Sequence, residues 1–255
     1  MDAAPAGALS LPDGYILHRF DEIDGTNAEA LRAGAEDGHV FLADCQTAGR
    51  GRQGREWISP QGNLFATICV APPNGRNPAQ LAFVAGLAVL DALSEAVSEA
   101  APGADFALKW PNDILASGRK LSGILIEAGE HGYAIGIGIN IVASPPDSAV
   151  RSPATNLKTV SGHSPVPTAG DLLAAICRHF SIWFDRWTAD GFEPLRAVWL
   201  ASAHGMGDTI AASTGSGRIE GRFNGLDADG ALVVEDSGGD LRIITAGDVF
   251  FPGAD

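Results

Sequence analysis

Apolar residues recur at helical spacing in two long segments of the chain. In residues 79–100 they fall three or four positions apart, and residues 169–189 carry a similar apolar face. Each segment predicts a long helix packed on a core, and residues 192–201 predict a third, shorter one. A further helix is predicted to start at Thr26, which is followed three residues later by Glu29 in the pattern of a capping box.

Shorter apolar runs, rich in β-branched and aromatic residues, predict strands around these helices. They lie at residues 15–20, 39–44, 63–70, 106–109, 119–127 and 133–141. Residues 142–167 are rich in Pro and Ser and are predicted to be mostly loop. Strands mixed with helices in this order predict an α/β (α+β) fold, in which helices pack on a mixed β-sheet.

The pattern changes near residue 204, where short strands separated by Asp/Gly turns begin. They lie at residues 208–211, 218–226, 231–234 and 241–244. This spacing predicts a small β-barrel appended to the main core. We therefore expect three parts: a flexible lead over residues 1–14, a main domain over 15–204 and a C-terminal β domain over 205–255.

One loop between two predicted strands combines unusual flexibility with positive charge. Three Gly and three Arg fall within seven residues, from Gly49 to Arg55, and Trp57 follows. Glycine lets the backbone approach a ligand closely, and the arginine side chain offers a planar fork of donors to carboxylates and phosphates. We call residues 47–56 the glycine-arginine loop and interpret it as a binding loop for a small anion.

The same loop contains the spacing G-x-G-x-x-G of a dinucleotide-binding fingerprint. That motif should open a helix and be followed about 20 residues later by an acidic residue. Here residues 57–62 are turn-like, the next apolar run predicts a strand, and residues 72–75 read Pro-Pro-Asn-Gly. We therefore reject a Rossmann nucleotide site.

Composition narrows the remaining function classes. The net charge of −14 argues against DNA or general nucleic-acid binding. No run looks long enough to span a membrane, and the N-terminus lacks the basic region of a signal peptide. Three scattered cysteines match neither a disulfide framework nor a zinc site, which favours the cytoplasm. Lysine is rare, and two of the three, Lys109 and Lys120, lie in one twelve-residue segment.

Four motifs, in this order, resemble those of the biotin protein ligases. They are residues 46–55 (QTAGRGRQGR), 109–113 (KWPND), 119–125 (RKLSGIL) and 136–140 (GIGIN). The resemblance covers residues 15–142 strongly, and it implies that the C-terminal β domain is SH3-like. The chain is similar to members without an N-terminal helix-turn-helix, because the predicted core begins near residue 15.

The resemblance implies a cytoplasmic enzyme that uses ATP, with Mg²⁺, to activate biotin as biotinyl-5′-AMP. It then transfers biotin to a lysine of a biotin carboxyl carrier domain, without DNA or membrane partners, as a monomer or weak homodimer. The implied catalytic residues are Lys120 and Arg52. The implied biotin-binding residues are Gly25, Thr26, Asn27, Gln46, Arg50, Gly51, Arg52, Lys120 and Gly123.

The implied ATP-binding residues are Arg52, Arg55, Trp57, Asn112, Asp113, Lys120 and Asn140. Trp57 would stack on adenine, and Asp113 would be the Mg²⁺ ligand. The family often has Ser where this chain has Gly25, so one hydroxyl contact to the ligand is expected to be missing. We also expect the glycine-arginine loop to be mobile in the free protein and ordered by the ligand, as a lid.

Two alternatives remain open from the residues alone. The first is a ligase for lipoate or another acyl acid, which differs in pocket shape. The second is a biotin-binding regulator without catalysis. Lys120 and the arginines of the loop argue against the second alternative.

Overall fold

The computed structural model describes residues 9–98, 101–162, 164–215 and 217–252. Most of the expected lead, the last two residues of the first long predicted helix and the last three of the expected C-terminal domain lie outside these ranges.

A seven-stranded mixed sheet forms the centre of the main domain. Its strands are β1 (Ile16–Ile23), β2 (His39–Gln46), β3 (Leu64–Val70), β4 (Phe106–Lys109), β5 (Asp113–Ala116), β6 (Arg119–Ala128) and β7 (Tyr133–Ile139). Their spatial order is β1-β2-β3-β7-β6-β5-β4. β1 and β2 run parallel, and every other neighbouring pair is antiparallel. The predicted mixed sheet is confirmed.

Helices cover both faces of this sheet. They are α1 (Thr26–Arg32), α2 (Leu81–Val97), α3 (Leu157–Val160), α4 (Ala169–Asp190) and α5 (Glu193–Ala201). Alternation along β2 sorts its side chains: Val40 and Leu42 join the large core with α2 and α4, whereas Phe41 joins a smaller cluster beside α1. The three-layer arrangement leaves α1 and the loop after β2 together at one end of the sheet.

The second sheet is antiparallel and contains five strands. They are β8 (Thr209–Thr214), β9 (Gly217–Leu226), β10 (Leu232–Glu235), β11 (Leu241–Ile244) and β12 (Asp248–Phe250), in the order β11-β10-β9-β8-β12. This antiparallel sheet corresponds to the predicted small β domain, but among the described residues β11 and β12 do not pair with each other, so the barrel is not closed. These two edge strands are four and three residues long.

Several local predictions need correction. The spacing missed β5 and β12, and β1 continues to Ile23, beyond its predicted end at residue 20. The predicted capping box does not form, since Gly25 is the N-cap of α1 and makes no side-chain cap. Thr26 instead turns its hydroxyl into the sheet, as described below, and Glu29 pairs with Arg32.

One described segment, Pro78–Val97, is long and apolar enough by composition to cross a membrane, contrary to our expectation from the sequence. Most of it is buried inside the protein, where α2 packs against α4. Its apolar character is therefore explained by its place in the core.

Candidate functional site

A cavity of ≈ 370 Å³ lies where the two sheets meet the glycine-arginine loop. The start of α1, the ends of β2 and β4, and strands β6 and β7 form its floor, and β12 closes one side. All of the site residues named from the sequence line it: Gly25, Thr26, Asn27, Gln46, Arg50, Gly51, Arg52, Arg55, Trp57, Asn112, Asp113, Lys120, Gly123 and Asn140. A volume of this size suits a small-molecule ligand.

The part of the cavity floor next to α1 is a network of hydrogen-bonded polar side chains. The Gln46 side-chain oxygen accepts hydrogen bonds from the Thr26 backbone N–H at 2.9 Å and from its hydroxyl at 3.3 Å. The Thr26 hydroxyl also lies 2.8 Å from the hydroxyl of Thr67, which is fully buried. Gln46 donates from its amide nitrogen to Ser59. These bonds hold the Gln46 amide in one orientation at the cavity wall.

Asn27 lies beside this network, and protein groups occupy its amide. Its nitrogen donates to the Leu125 carbonyl and to the Glu127 carboxylate, and its oxygen accepts from Thr67 at 2.6 Å. The same Glu127 carboxylate lies 3.5 Å from the guanidinium of Arg50. Glu127 therefore links the start of α1 to the loop above the cavity.

The glycine-arginine loop folds back on itself over the cavity. Gly51 N–H donates to the Arg55 carbonyl, and Trp57 N–H donates to the Gly49 carbonyl. Only glycine fits at position 49, since a Cβ atom there would lie 2.6 Å from the Trp57 carbonyl oxygen. The loop leads through a short 3₁₀ turn to β3 and opens no helix, which confirms the rejection of a Rossmann site.

Two arginines of the loop reach the second sheet. Arg55 donates to both Asp248 carboxylate oxygens at 2.9 Å, and a terminal nitrogen of Arg52 lies 3.7 Å from the same carboxylate. Arg52 also donates to Asn112 Oδ1 and to the Gly247 carbonyl. Burial lowers the pKa of Arg52, and the charge of Asp248 acts against that shift. The C-terminal sheet thus contributes directly to the loop's position.

Lys120 occupies the centre of the cavity floor. Its Nζ lies 2.6 Å from Asp113 Oδ1, as an ion pair without the angles of a hydrogen bond, and 5.5 Å from the centroid of the Trp57 ring. Both charged side chains are mostly buried, so their attraction is less screened than that of a surface pair. An incoming anion would meet Lys120 already oriented by Asp113.

Trp57 lies flat across β6 and β7. A Cβ atom at Gly138 would come within 2.5 Å of the indole, and one at Gly123 within 3.0 Å. The indole N–H is buried and has no hydrogen-bond partner among the described residues. A buried donor without an acceptor is costly, and this one lies against the β7 backbone, where a Cβ atom at Gly138 would be 2.8 Å from the indole nitrogen.

Asn112 and Asn140 use their side chains to hold the cavity walls. Asn112 accepts from Arg52 and donates to the Ile124 carbonyl. Asn140 is 3% exposed and donates to the Thr155 carbonyl, which fixes the loop that follows β7. A ligand could therefore contact these two residues through their backbone groups, or through the side-chain amide donors and acceptors that the protein leaves unused.

Sequence reasoning assigned no role to several charged residues of the site, among them Glu127, Asp248 and Lys109. Glu127 acts through Asn27 and Arg50, and Asp248 comes from β12. Lys109 also lines the cavity; the rarity of lysine pointed to it, but no role was assigned. The pairing of Asp248 spans 193 residues, so no local signal could have revealed it.

The site offers few ligands to a metal ion. The described residues contain no group of three or more His, Cys, Asp or Glu side chains placed to hold one. Asp113 supplies a single carboxylate at the cavity. Mg²⁺ is commonly held by one or two carboxylates together with substrate phosphates and water, so Asp113 fits an ion that arrives with a nucleotide.

Positive charge exceeds negative charge along the cavity wall. The described lining residues include six cations and three carboxylates, in a chain whose net charge is −14. The cations are Arg50, Arg52, Arg55, Lys109, Lys120 and Arg151, and the carboxylates are Glu56, Asp113 and Asp248. This excess favours a polyanionic ligand.

Comparisons with known proteins agree with this chemistry. Residues 20–141 match the biotin/lipoate A/B protein ligase family, and residues 207–251 match the biotin protein ligase C terminal domain. The chain is 40% identical over 241 residues to the biotin--[acetyl-CoA-carboxylase] ligase of Paracoccus denitrificans, covering 90% of this chain and 98% of that protein.

Solved structures show the same fold. The biotin protein ligase from Aquifex aeolicus in complex with biotin and ATP matches with a TM-score of 0.81 and 28% identity, over 92% of this chain and 97% of that one. The enzyme from Leishmania major in complex with biotinyl-5-AMP matches with a TM-score of 0.61 and 26% identity, over 90% and 98%. The chain therefore belongs to the biotin protein ligase family.

Proposed function

We propose that this protein attaches biotin to a lysine of a biotin carboxyl carrier domain in two steps. First, a biotin carboxylate oxygen attacks the α-phosphorus of ATP, and biotinyl-5′-AMP forms as pyrophosphate leaves. Second, the carrier lysine amine attacks the acyl carbon, and AMP leaves. The convergence of Lys120, Arg52 and the remaining lining cations on one cavity carries this proposal. Both steps require neutralisation of negative charge more than covalent help from the protein.

Lys120 and Arg52 take the catalytic roles in this scheme. The Lys120 ammonium, oriented by Asp113, binds the biotin carboxylate and the developing charge on the α-phosphate. Arg52 is held by Asn112 and by the second sheet, so its guanidinium is positioned before the substrates arrive. Groups fixed in advance need no rearrangement when charge develops, which is the main source of electrostatic rate enhancement.

The end of the cavity near α1 suits the neutral part of biotin. Thr26 and Gln46 present a fixed hydrogen-bonding surface there, and Gly25 and Asn27 lie beside them. Gly51, Arg50 and Gly123 lie along the path to Lys120 and complete the biotin-binding set.

The opposite end of the cavity, toward the second sheet, suits ATP. Arg55, Trp57, Asn112, Asp113 and Asn140 all line the cavity, and Arg55 contacts Asp248 of that sheet. Asp113 would hold Mg²⁺, which screens the charge of the phosphates when bound.

The glycine-arginine loop acts as a lid over the activated intermediate. Its arginines would bind the anionic adenylate, and closure would keep the mixed anhydride away from water and from unrelated lysines.

Residues 15–204 form the catalytic unit and residues 205–255 the C-terminal unit in this scheme. The start of the C-terminal match at residue 207 supports that boundary. The cytoplasm, where carboxylases and ATP meet, is the proposed location, with the protein as a monomer or weak homodimer.

One experiment tests the whole scheme. The protein is incubated with biotin, Mg-ATP and an apo biotin carboxyl carrier domain, and the carrier is weighed by mass spectrometry. The expected result is a gain of one biotinyl group, abolished by a carrier whose acceptor lysine is changed to Arg. The same incubation with lipoate in place of biotin is the matched control for the alternative that the protein is a lipoate ligase. A lipoyl adduct without a biotinyl adduct would contradict the biotin proposal, and no adduct with either acid would contradict catalysis.

A further inference from the structure

Two histidines from neighbouring strands meet outside the cavity. His18 lies on β1, and His39 is the first residue of β2. Nε2 of His18 lies 3.1 Å from Nδ1 of His39, and the ring centroids are 5.0 Å apart. Both residues are half-buried, and neither is among the described residues that line the cavity. The pair is therefore a separate cluster of metal-ligating side chains that solvent can reach.

Packing and charge orient the two rings. The His18 ring stacks on the buried Phe41 ring at 4.8 Å between centroids and 17° between planes. On the far side of His39, a carboxylate oxygen of Glu36 lies 3.5 Å from Nε2. A carboxylate at this nitrogen favours the tautomer with its proton on Nε2, which leaves the lone pair of Nδ1 directed at His18. Metal-ligating histidines commonly use a carboxylate in this way.

We propose that His18 and His39 together bind one divalent transition-metal ion, such as Zn²⁺. Zinc–nitrogen bonds are about 2.0–2.1 Å long, so two nitrogens on one tetrahedral ion lie roughly 3.3 Å apart. The observed separation of 3.1 Å is close to that value, and small side-chain rotations would direct both lone pairs at one ion. The ion takes the place of the proton between the two nitrogens, which passes to Nδ1 of His18 or to water.

The ligand set determines which ion fits and how firmly it is held. Imidazole nitrogen suits Zn²⁺, Ni²⁺ and Cu²⁺, whereas Mg²⁺ prefers oxygen ligands. The described ranges contain no group of three or more His, Cys, Asp or Glu side chains placed around one ion. Water would therefore fill the remaining positions, which the 22% exposure of the His39 side chain permits. Such a site exchanges its metal with solution.

A metal ion at this position would clip the edge of the main sheet. β1 is the outermost strand, and β2 is its neighbour in the sheet. β1 ends at Ile23, two residues before Gly25 and Thr26 at the cavity wall. One ligand from each strand adds a cross-link between β1 and β2, and an ion that binds the folded state stabilises it by mass action.

The test uses the untagged full chain, treated with EDTA and then dialysed. Zn²⁺ and Mg²⁺ are titrated calorimetrically into the wild type and into His18→Gln, His39→Gln and Glu36→Gln. His131→Gln is the matched control, because His131 is an exposed histidine in the turn between β6 and β7. Thermal unfolding and amide exchange across residues 16–23 are measured for each variant with and without Zn²⁺.

The wild type should bind one equivalent of Zn²⁺, and Mg²⁺ should not compete. Loss of either histidine should weaken binding by roughly 100-fold, and Glu36→Gln by about tenfold, as for an outer-shell partner. The control should bind like the wild type. Zn²⁺ at 100 times its dissociation constant should raise the wild-type Tm by roughly 5–10 °C and slow amide exchange along β1.

Several outcomes would overturn the site. They are no saturable Zn²⁺ binding, equal binding by the wild type and both histidine variants, and a rise in Tm without slower exchange along β1, since the ion would then lie elsewhere. Three separate variants keep the test decisive if one of them fails to fold. The measurements need neither biotin nor ATP, so their result is independent of the proposed function.

Discussion

The indole of Trp57 lies so close to the backbone of Gly138 that no side chain fits between them: a Cβ atom at position 138 would be 2.5 Å from Cε2 of the ring. Gly138 is on β7, at the register position opposite Gly123 on β6, and both glycines lie beneath the ring. Glycine inside a strand often marks such an approach of another group. The third and fourth sequence motifs of the family thus form the floor under the tryptophan that follows the first motif.

Gly138→Ala should displace Trp57. The added methyl overlaps the ring, so we expect either an expelled indole or a loss of about 1–3 kcal/mol in the free energy of unfolding, as for an overpacked core. Tryptophan fluorescence and adenylate formation report an expelled indole, and chemical denaturation measures the free energy of unfolding. Gly215→Ala is the control, because a Cβ atom there meets nothing within 4 Å. Wild-type fluorescence, activity and stability in Gly138→Ala would refute the contact.

Lys120→Ala should nearly abolish adenylate formation. Removing one fixed charge from the reacting centre typically lowers the rate by ~10²–10³. Biotin-dependent ATP–pyrophosphate exchange measures the loss, and thermal unfolding verifies the fold. Lys158→Ala, an exposed lysine away from the cavity, should exchange at the wild-type rate. Exchange near wild type in Lys120→Ala would remove Lys120 from the mechanism.

Asp248→Asn should loosen the glycine-arginine loop in the free protein. Asp248 is the carboxylate that pairs with Arg55 and approaches Arg52, two cations that otherwise repel each other. Loss of about 1–2 kcal/mol would accelerate amide exchange across residues 47–56 by roughly 5- to 30-fold. Asp240→Asn, at an exposed carboxylate in the turn before β11, should have no effect. Biotin should restore protection, and a loop equally protected in all states would contradict the lid.

Arg52→Gly should let the adenylate escape. Lys120 and Asp113 remain in place, so biotinyl-5′-AMP still forms, more slowly because the charge of Arg52 is lost, and the loop loses its bonds to Asn112 and Gly247. Mass spectrometry of an unrelated lysine-rich protein in the reaction should then show several-fold more biotin adducts than with wild type. Bystander labelling equal to wild type, with adenylate still formed, would be evidence against retention by the loop.

Gly25→Ser should be tolerated and should strengthen biotin binding. The backbone at Gly25 is extended (φ −177°), and the nearest atoms to an added Cβ are 3.8 Å away. A serine here would cap α1, where no side chain caps it now. A hydroxyl bond to biotin contributes about 1 kcal/mol, or roughly a fivefold lower dissociation constant. Gly25→Ala lacks the hydroxyl and serves as the control; weaker binding by Gly25→Ser than by Gly25→Ala would contradict the prediction.

Local patterns of apolar residues were sufficient to predict the longer helices and strands. The helical spacing of Leu81 to Val97 and the apolar run of β3 lead directly to the observed core, because each buried face repeats within one element. The short strands β5 and β12 escaped notice, although β4, which also has four residues, was predicted. The open second sheet was not predicted either, because closure depends on strand pairing that composition does not encode.

By itself, the sequence identified the motifs of the site, since each one concentrates its glycines, arginines or lysine within a few residues. Only the tertiary structure decided how the charges pair. Asp113 is closer in sequence to Lys109 than to Lys120, yet it pairs with Lys120, and Asp248 reaches back to Arg55 across the whole main domain. Electrostatic energy depends on distance in space and on burial, neither of which is a property of sequence separation. The pairing of these charges is therefore visible only in the folded chain.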